Sequence, residues 1–177
     1  MTIVIPYVKQ TWTDGSGGGT PISAARLGVL EEGILDASQA PAVLVSHNTT
    51  NSCTSNVVTT LACNTESYDQ AGGAASTMHD TVTNNTRLTC LYAGVYLVYA
   101  GGLSWSSNPT NALVQFSHSA GPTTFGTFNV VADNRIMSAT AFRKLAVNEY
   151  VELQVRQVSG STLTIAAGFD FGMVRIA

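Results

Sequence analysis

Three histidines, three cysteines and eleven acidic residues are the side chains of this 177-residue sequence with the acid–base or ligand chemistry that catalysis and metal binding draw on. His47, His79 and His118 lie more than thirty residues apart, with no H-E-x-x-H and no i, i+4 pair, so their spacing puts no two of them together as zinc ligands. Three copies of one histidine gathered on a symmetry axis would form a ligand set invisible in single-chain spacing; the plainer reading is three structural histidines. Cys53, Cys63 and Cys90 are an odd set without a C-x-x-C, which argues against a disulfide framework and against a zinc site. Small buried or half-buried thiols are expected, and a Cys53 to Cys63 bridge would leave Cys90 alone. Asp69, Asp80 and Asp133 read as loop carboxylates, yet no D-x-D-x-D-G calcium loop exists. No G-x-S-x-G elbow presents a serine, and scattered acids define no carboxylate pair. The expectation is a chain with no catalytic residues, no metal and no cofactor, and hence not an enzyme.

Composition narrows the partners. Eight Lys and Arg against eleven Asp and Glu give a net charge of −3 and no basic stripe, so nucleic acid is not an expected partner. Charged residues are 11% of the chain, while Thr, Ser and Asn supply 49 of the 177 residues, which makes a neutral surface of hydroxyls and amides. A surface so poor in charge suits a protein packed against other copies or partners. The longest apolar stretches, such as Pro41 to Val45, fall far short of the ~20 residues a membrane span needs. Met1 to Tyr7 lacks a charged n-region, and no cleavage-like site follows, so synthesis in a cytosol is expected.

The elements that would position these residues divide the chain in two, 1–40 and 41–177. Met1 to Trp12 is β-branched and alternating but interrupted by Pro6, which suits an extended arm or edge strand, with Ile3, Ile5, Tyr7 and Trp12 as its candidate anchoring side chains. Thr13 to Gly19 is a glycine-rich connector. Pro21 to Ser23 carries helix-start chemistry, and a helix is expected to about Ala37. Its Leu27, Leu30, Ile34 and Ala37 are spaced three, four and three, so the stripe either bundles with copies of itself or packs on its own domain. From Pro41 onward short apolar runs alternate with Gly, Asn, Ser and Thr clusters, predicting an all-β jelly-roll sandwich of about ten strands. The longest expected strands are 94–105, 111–119, 124–131, 135–145 and 150–158, with shorter ones at 42–47, 56–62, 87–90, 162–166 and 169–176.

Within that region Leu91-Tyr92-Ala93-Gly94-Val95-Tyr96-Leu97-Val98 resembles the "pG-x-Y-x-F" strand of tumour-necrosis-factor-like and complement-globular-head jelly rolls. Leu145 to Leu153 is similar to that family's "l-x-x-G-D-x-V-x-L" strand, with Asn148-Glu149 in place of glycine and acid, and Phe169 to Val174 to its closing "f-x-G-x-l" strand. Asn tolerates the positive φ that the turn demands. Trp12 to Gly15, Pro21 to Leu27 and Leu30 to Ala37 resemble the N-terminal "W-x-D-G…P-I-S-A…E-x-G-I-x-D-A" segment of phage virion proteins, and Met78-His79-Asp80 with Asn84 to Thr89 a stretch of phage-encoded jelly rolls.

These resemblances imply a homotrimer, held by aromatic and aliphatic side chains around a threefold axis, with Tyr96, Val98 and Phe171 as seam candidates. They further imply a structural virion protein, made in the host cytoplasm. Its arm would bind the major capsid protein or another virion protein, and Leu27, Leu30 and Ile34 would gather three helices. The expected role is a capsid decoration or head-fibre protein. The alternative is the receptor-binding tip of a tail fibre, in which polar loops bearing Trp105, Asn108 and Thr123 would contact a host surface glycan.

Overall fold

The computed structural model describes residues 28–30, 40–72, 77–121, 123–131 and 136–177. The arm residues Ile3, Ile5, Tyr7 and Trp12, and Leu27 and Ile34 of the expected helix, lie outside them. Residues 28–30 are helical, with Leu30 half-buried and Val29 exposed.

Twelve strands run through the described residues: β1 (Ala42–Ser46), β2 (Asn51–Cys53), β3 (Thr59–Thr60), β4 (Thr65–Gln70), β5 (Arg87–Thr89), β6 (Gly94–Ser104), β7 (Asn111–His118), β8 (Thr123–Val131), β9 (Ile136–Leu145), β10 (Tyr150–Val158), β11 (Leu163–Ile165) and β12 (Asp170–Arg175). One five-stranded sheet has the order β4-β1-β12-β6-β9. The second has the order β3-β10-β7-β8, with β5 also paired to β10, and β11-β2 forms a small third ribbon. All pairings are antiparallel. The two large sheets face each other as a jelly-roll sandwich, the expected fold class.

Period-two alternation explains which way each strand faces. On β10, Val151, Leu153 and Val155 are buried, whereas Glu152, Gln154 and Arg156 reach the outside. Opposite them Val43, Val45, Tyr96, Val98, Phe171 and Met173 point inward from the first sheet. Phe116 of β7 and Phe171 of β12 stack with ring centroids 6.1 Å apart, joining the two layers. Burying each such side chain stabilises the fold by roughly 1.5–3 kcal/mol. Gly126, at φ +60°, lets β8 close against β9, because a Cβ there would meet Phe116 Cδ2 at 2.7 Å and Ala141 Cβ at 2.8 Å.

The strand directions give the sandwich two distinct ends. Pro41, Gly94, Leu145, Tyr150 and the C-terminal residues gather at one end, where Arg175 N–H donates to the Pro41 carbonyl at 2.9 Å and Val95 N–H to the Ala177 carbonyl at 2.7 Å. The 105–110 and 159–162 connections lie at the other. The jelly roll is therefore entered from residue 40 at its base and carries these two polar connections at its far end.

Candidate functional site

The outward faces of the two large sheets differ in kind. On the second sheet the outer side chains satisfy one another. Gln115 Nε2 donates to Gln154 Oε1 at 3.0 Å and Gln154 Nε2 to Thr60 Oγ1 at 3.4 Å, while Thr86 Oγ1 and Arg87 Nε both donate to Glu152 Oε1, at 2.8 and 3.3 Å. Arg156 donates to Asn56 Oδ1. Such a face is content with water and with itself.

The outer face of β4-β1-β12-β6-β9 is aromatic and aliphatic. Side chains directly opposite one another in antiparallel pairs share a face, so the register defines two cross-strand rows. One runs Tyr68, Leu44, Gly172, Tyr99, Thr140 and the other Ala42, Val174, Leu97, Phe142. Phe142 is 66% exposed and Tyr68 48%, and Leu44, Leu97, Tyr99 and Val174 are half-buried. Burial pushes the Tyr99 phenol up, and Tyr68 and Asp170 beside it push in the same direction. Phe128 and Ile136 are also exposed, on the edge strands β8 and β9. A face and an edge, both apolar and on different parts of one molecule, can pair head-to-tail between copies, and each aromatic so covered buries about 150–250 Å².

Three sequence expectations need correction here. Tyr96, Val98 and Phe171 do share one face, but each is 0% exposed and points into the sandwich, so none can meet another copy. Tyr96 donates its hydroxyl to the Tyr92 carbonyl at 2.8 Å, and the same carbonyl accepts from the Cys90 thiol at 3.0 Å. Trp105 is 2% exposed, its indole Nε1–H on Met137 Sδ at 3.3 Å, and it is a core residue rather than a contact for a host glycan. Asn108 is exposed at the far end, whereas Thr123 pairs with His118 at the base. The eight-residue strand β7 separates them by about 25 Å at 3.4 Å per residue, so Asn108 and Thr123 belong to no common site.

The titratable residues are structural. Cys53, Cys63 and Cys90 are free and buried. Asp69 lies on β4 rather than in a loop, and its carboxylate accepts the N–H groups of Met78 (3.1 Å) and His79 (2.9 Å). Asp80 Oδ1 accepts from Val82 and Thr83 at 2.8 Å, which holds its carboxyl below the usual range. Asp133 lies outside the described residues. His79 Nδ1 meets Glu66 Oε1 at 2.9 Å, and its Nε2 the Asn85 carbonyl at 3.3 Å. His79 lines a cleft of about 420 Å³ together with Thr77, Asp80, Thr83, Asn84 and Arg87. His118 joins Glu149 and Arg143 at the base. Among the described residues no group of three or more His, Cys, Asp or Glu side chains is placed to hold a metal ion, and no helix is long and apolar enough to cross a membrane.

No family model matches the chain, and no curated protein matches it. Solved structures do. The globular domain of zebrafish complement 1qA protein superposes with a TM-score of 0.54 at 16% identity, covering 78% of this chain and 98% of that one. Murine APRIL at pH 8.0 gives 0.54 at 13% identity, covering 77% and 99%, and murine APRIL at pH 5.0 gives 0.51 at 12%, covering the same shares. Together with the two sheets and their order, these likenesses show that the chain has the jelly-roll fold of complement-globular-head and tumour-necrosis-factor-like domains.

Proposed function

We propose that this chain is a homotrimeric structural protein of a phage particle, a capsid decoration or head-fibre protein whose 1–40 segment anchors it and whose jelly roll projects outward. The observation that carries the trimer is the apolar outer face of β4-β1-β12-β6-β9, set against the self-satisfied polar face of the other sheet. In this reading the Tyr68/Leu97/Tyr99/Phe142 face of one copy packs on the β8–β9 edge of the next, marked by Phe128 and Ile136. A head-to-tail contact of this kind closes into a ring when the rotation allows. The resemblance of the β region to jelly rolls that trimerise supports a ring of three.

The virion assignment rests on the resemblance of residues 12–37 to phage N-terminal segments, and on the base of the domain being where residue 40 enters. Three linked anchors raise apparent affinity through effective concentration, so individually weak contacts with a capsid or other virion protein suffice. The exposed Asn108 loop, at the end away from the anchor, favours a second reading, the receptor-binding tip of a tail fibre that touches host glycan.

Analytical ultracentrifugation tests the trimer. The expected mass is three times the 18.5 kDa chain, with Phe142→Asp and Leu97→Glu sedimenting as folded monomers. A wild-type monomer at micromolar concentration overturns the reading. Antibody labelling of intact particles in the electron microscope then separates head from tail tip, and unlabelled particles overturn the virion role.

A further inference from the structure

Residues 77–89 lead from β4, an edge strand of one sheet, to β5 of the other, and they are pinned along their length. Asp69 of β4 receives the Met78 and His79 N–H groups, the Met78 carbonyl accepts from Thr89 N–H at 2.7 Å, and the Asn84 carbonyl from Arg87 N–H at 3.0 Å. The Asn85 carbonyl accepts from Cys63 N–H at 2.7 Å and lies 3.3 Å from His79 Nε2. Asp80 Oδ1 closes a turn by accepting from Val82 and Thr83 N–H. The cleft of about 420 Å³ in this segment is therefore preorganised, and its size falls within the range of about 300–1,000 Å³ that small-molecule sites occupy.

The polar groups around the cleft differ from those on the outer face of the second sheet, which satisfy one another. Among the described residues, the side chains of Thr77, Thr83, Asn84 and Thr89 make no hydrogen bond within the fold, and Asp80 Oδ2 is left over once Oδ1 has closed the turn. Arg87 donates from Nε to Glu152 Oε1 at 3.3 Å and lays its guanidinium 4.1 Å over the Tyr150 ring. Those contacts fix the guanidinium plane while using neither Nη group.

Donors and acceptors are thus mixed within one small site, and the neutral hydroxyl and amide groups outnumber the two charged ones. An anion would be repelled by Asp80, whose ionised form the Thr83 and Val82 N–H groups favour, and a cation would meet Arg87. Adjacent hydroxyls on one molecule suit both, because each O–H can donate to a carboxylate or amide oxygen while its oxygen accepts from a guanidinium, amide or hydroxyl. We infer that this cleft is a binding site for a neutral saccharide, with Asp80 and Arg87 taking sugar hydroxyls and Asn84 and the three threonines bonding the remainder. The site is separate from the Asn108 loop and does not rest on the trimer or the virion role.

The test is a nitrogen-15 chemical-shift titration of the full chain with a panel of neutral methyl glycosides at millimolar concentrations, run beside sodium phosphate and glycine as anion and zwitterion probes. At least one glycoside should shift the 77–89 amides saturably, with phosphate and glycine leaving them in place. Asp80→Asn keeps the Oδ1 that closes the turn and replaces the second acceptor by a donor. Its affinity for that glycoside should fall about tenfold or more, the loss expected when a charged hydrogen-bond acceptor is removed. Three results overturn the site: no glycoside shift in this segment, a saturable response to phosphate or glycine alone, or an Asp80→Asn affinity equal to wild type. The wild-type shifts decide the matter even where the variant does not fold. A chain that binds glycoside here yet sediments as a monomer keeps this site while losing the trimer.

Discussion

The ring of Tyr99 lies across the bare backbone of Gly172: a Cβ on that glycine would stand 2.7 Å from the ring's Cε1 and 2.8 Å from the Val43 carbonyl oxygen. Gly172 needs no unusual φ, so what it supplies is room. Gly172→Ala should lift Tyr99 off the sheet and cost about 1–3 kcal/mol, the usual range for overpacking. Thermal melts of the variant against wild type measure this, and an unchanged melting temperature refutes the close approach.

The polar outer face offers the matching control for self-association. Gln154→Ala removes the middle of the Gln115–Gln154–Thr60 ladder and should cost about 0.5–1.5 kcal/mol of stability. Sedimentation of this variant should equal wild type. Dissociation would mean that the interface uses the second sheet.

Trp105 stands at the junction of β6, β9 and the small ribbon, bridged to Ile165 and bonded to Met137. Trp105→Ala should cost about 3–5 kcal/mol, as large cavities in cores do. Denaturant titration gives the value. A loss below 1 kcal/mol with impaired particle adhesion would return Trp105 to the surface role that its sequence context suggests.

Acid stability should depend on Glu149. Its carboxyl is held below the ordinary 4.5 chiefly by the Ala146 N–H; burial opposes this, and His118 and Arg143 add to the lowering. A carboxyl depressed in the folded state contributes stability that is fully present above the unfolded value and is lost as pH falls through the folded one. The loss therefore falls below pH 4.5, and Glu149→Gln should flatten the curve there. Urea midpoints at successive pH values decide it; parallel curves for the two proteins would exclude a role for this carboxylate.

The thiols should be silent until the fold opens. Burial pushes Cys53 up to about 11 and Cys63 up to about 12, and Cys90 moves in the same direction. Since the thiolate is the reactive form, maleimide labelling of all three should follow global unfolding. Rapid labelling of any one in native buffer would show local opening at that site.

Strands with one apolar and one polar face were readable directly. Val151 to Arg156 alternates apolar and polar residues without exception, and Gln157 continues the buried set of β10 as a polar residue. The same logic failed at β6, because Val95, Leu97 and Tyr99 are as apolar as Tyr96, Val98 and Ala100, and alternation alone does not say which set faces inward. The expected seam residues Tyr96 and Val98 consequently lie on the core side of that strand. β4 escaped notice because Thr65 to Gln70 has no apolar period; it is held by pairing with β1 and by Asp69 receiving the 78–79 backbone. The segment expected as one strand over 56–62 is only Thr59–Thr60, with β2 forming earlier at Asn51–Cys53. Asn148 was legible, since its φ of 67° is what the turn before Glu149 demands. The Arg143–His118–Glu149 relay was not, since its members are brought together only when the sheets close over one another.

The position of β12 sets the order in which this protein can be built. It is the third strand of five, with β1 on one side and β6 on the other, yet it comes last in sequence among the described strands. Before β12 is made, β6 can pair with β9 and β1 with β4, but no strand joins the two pairs, and β1 and β6 each expose an open edge. Only when Asp170–Arg175 emerges can the sheet knit shut from both sides at once. Completion of the domain is thus a late, long-range event, slow in the manner of topologies dominated by distant contacts. Loss of Asp170–Arg175 would split the sheet at its middle rather than fray its edge.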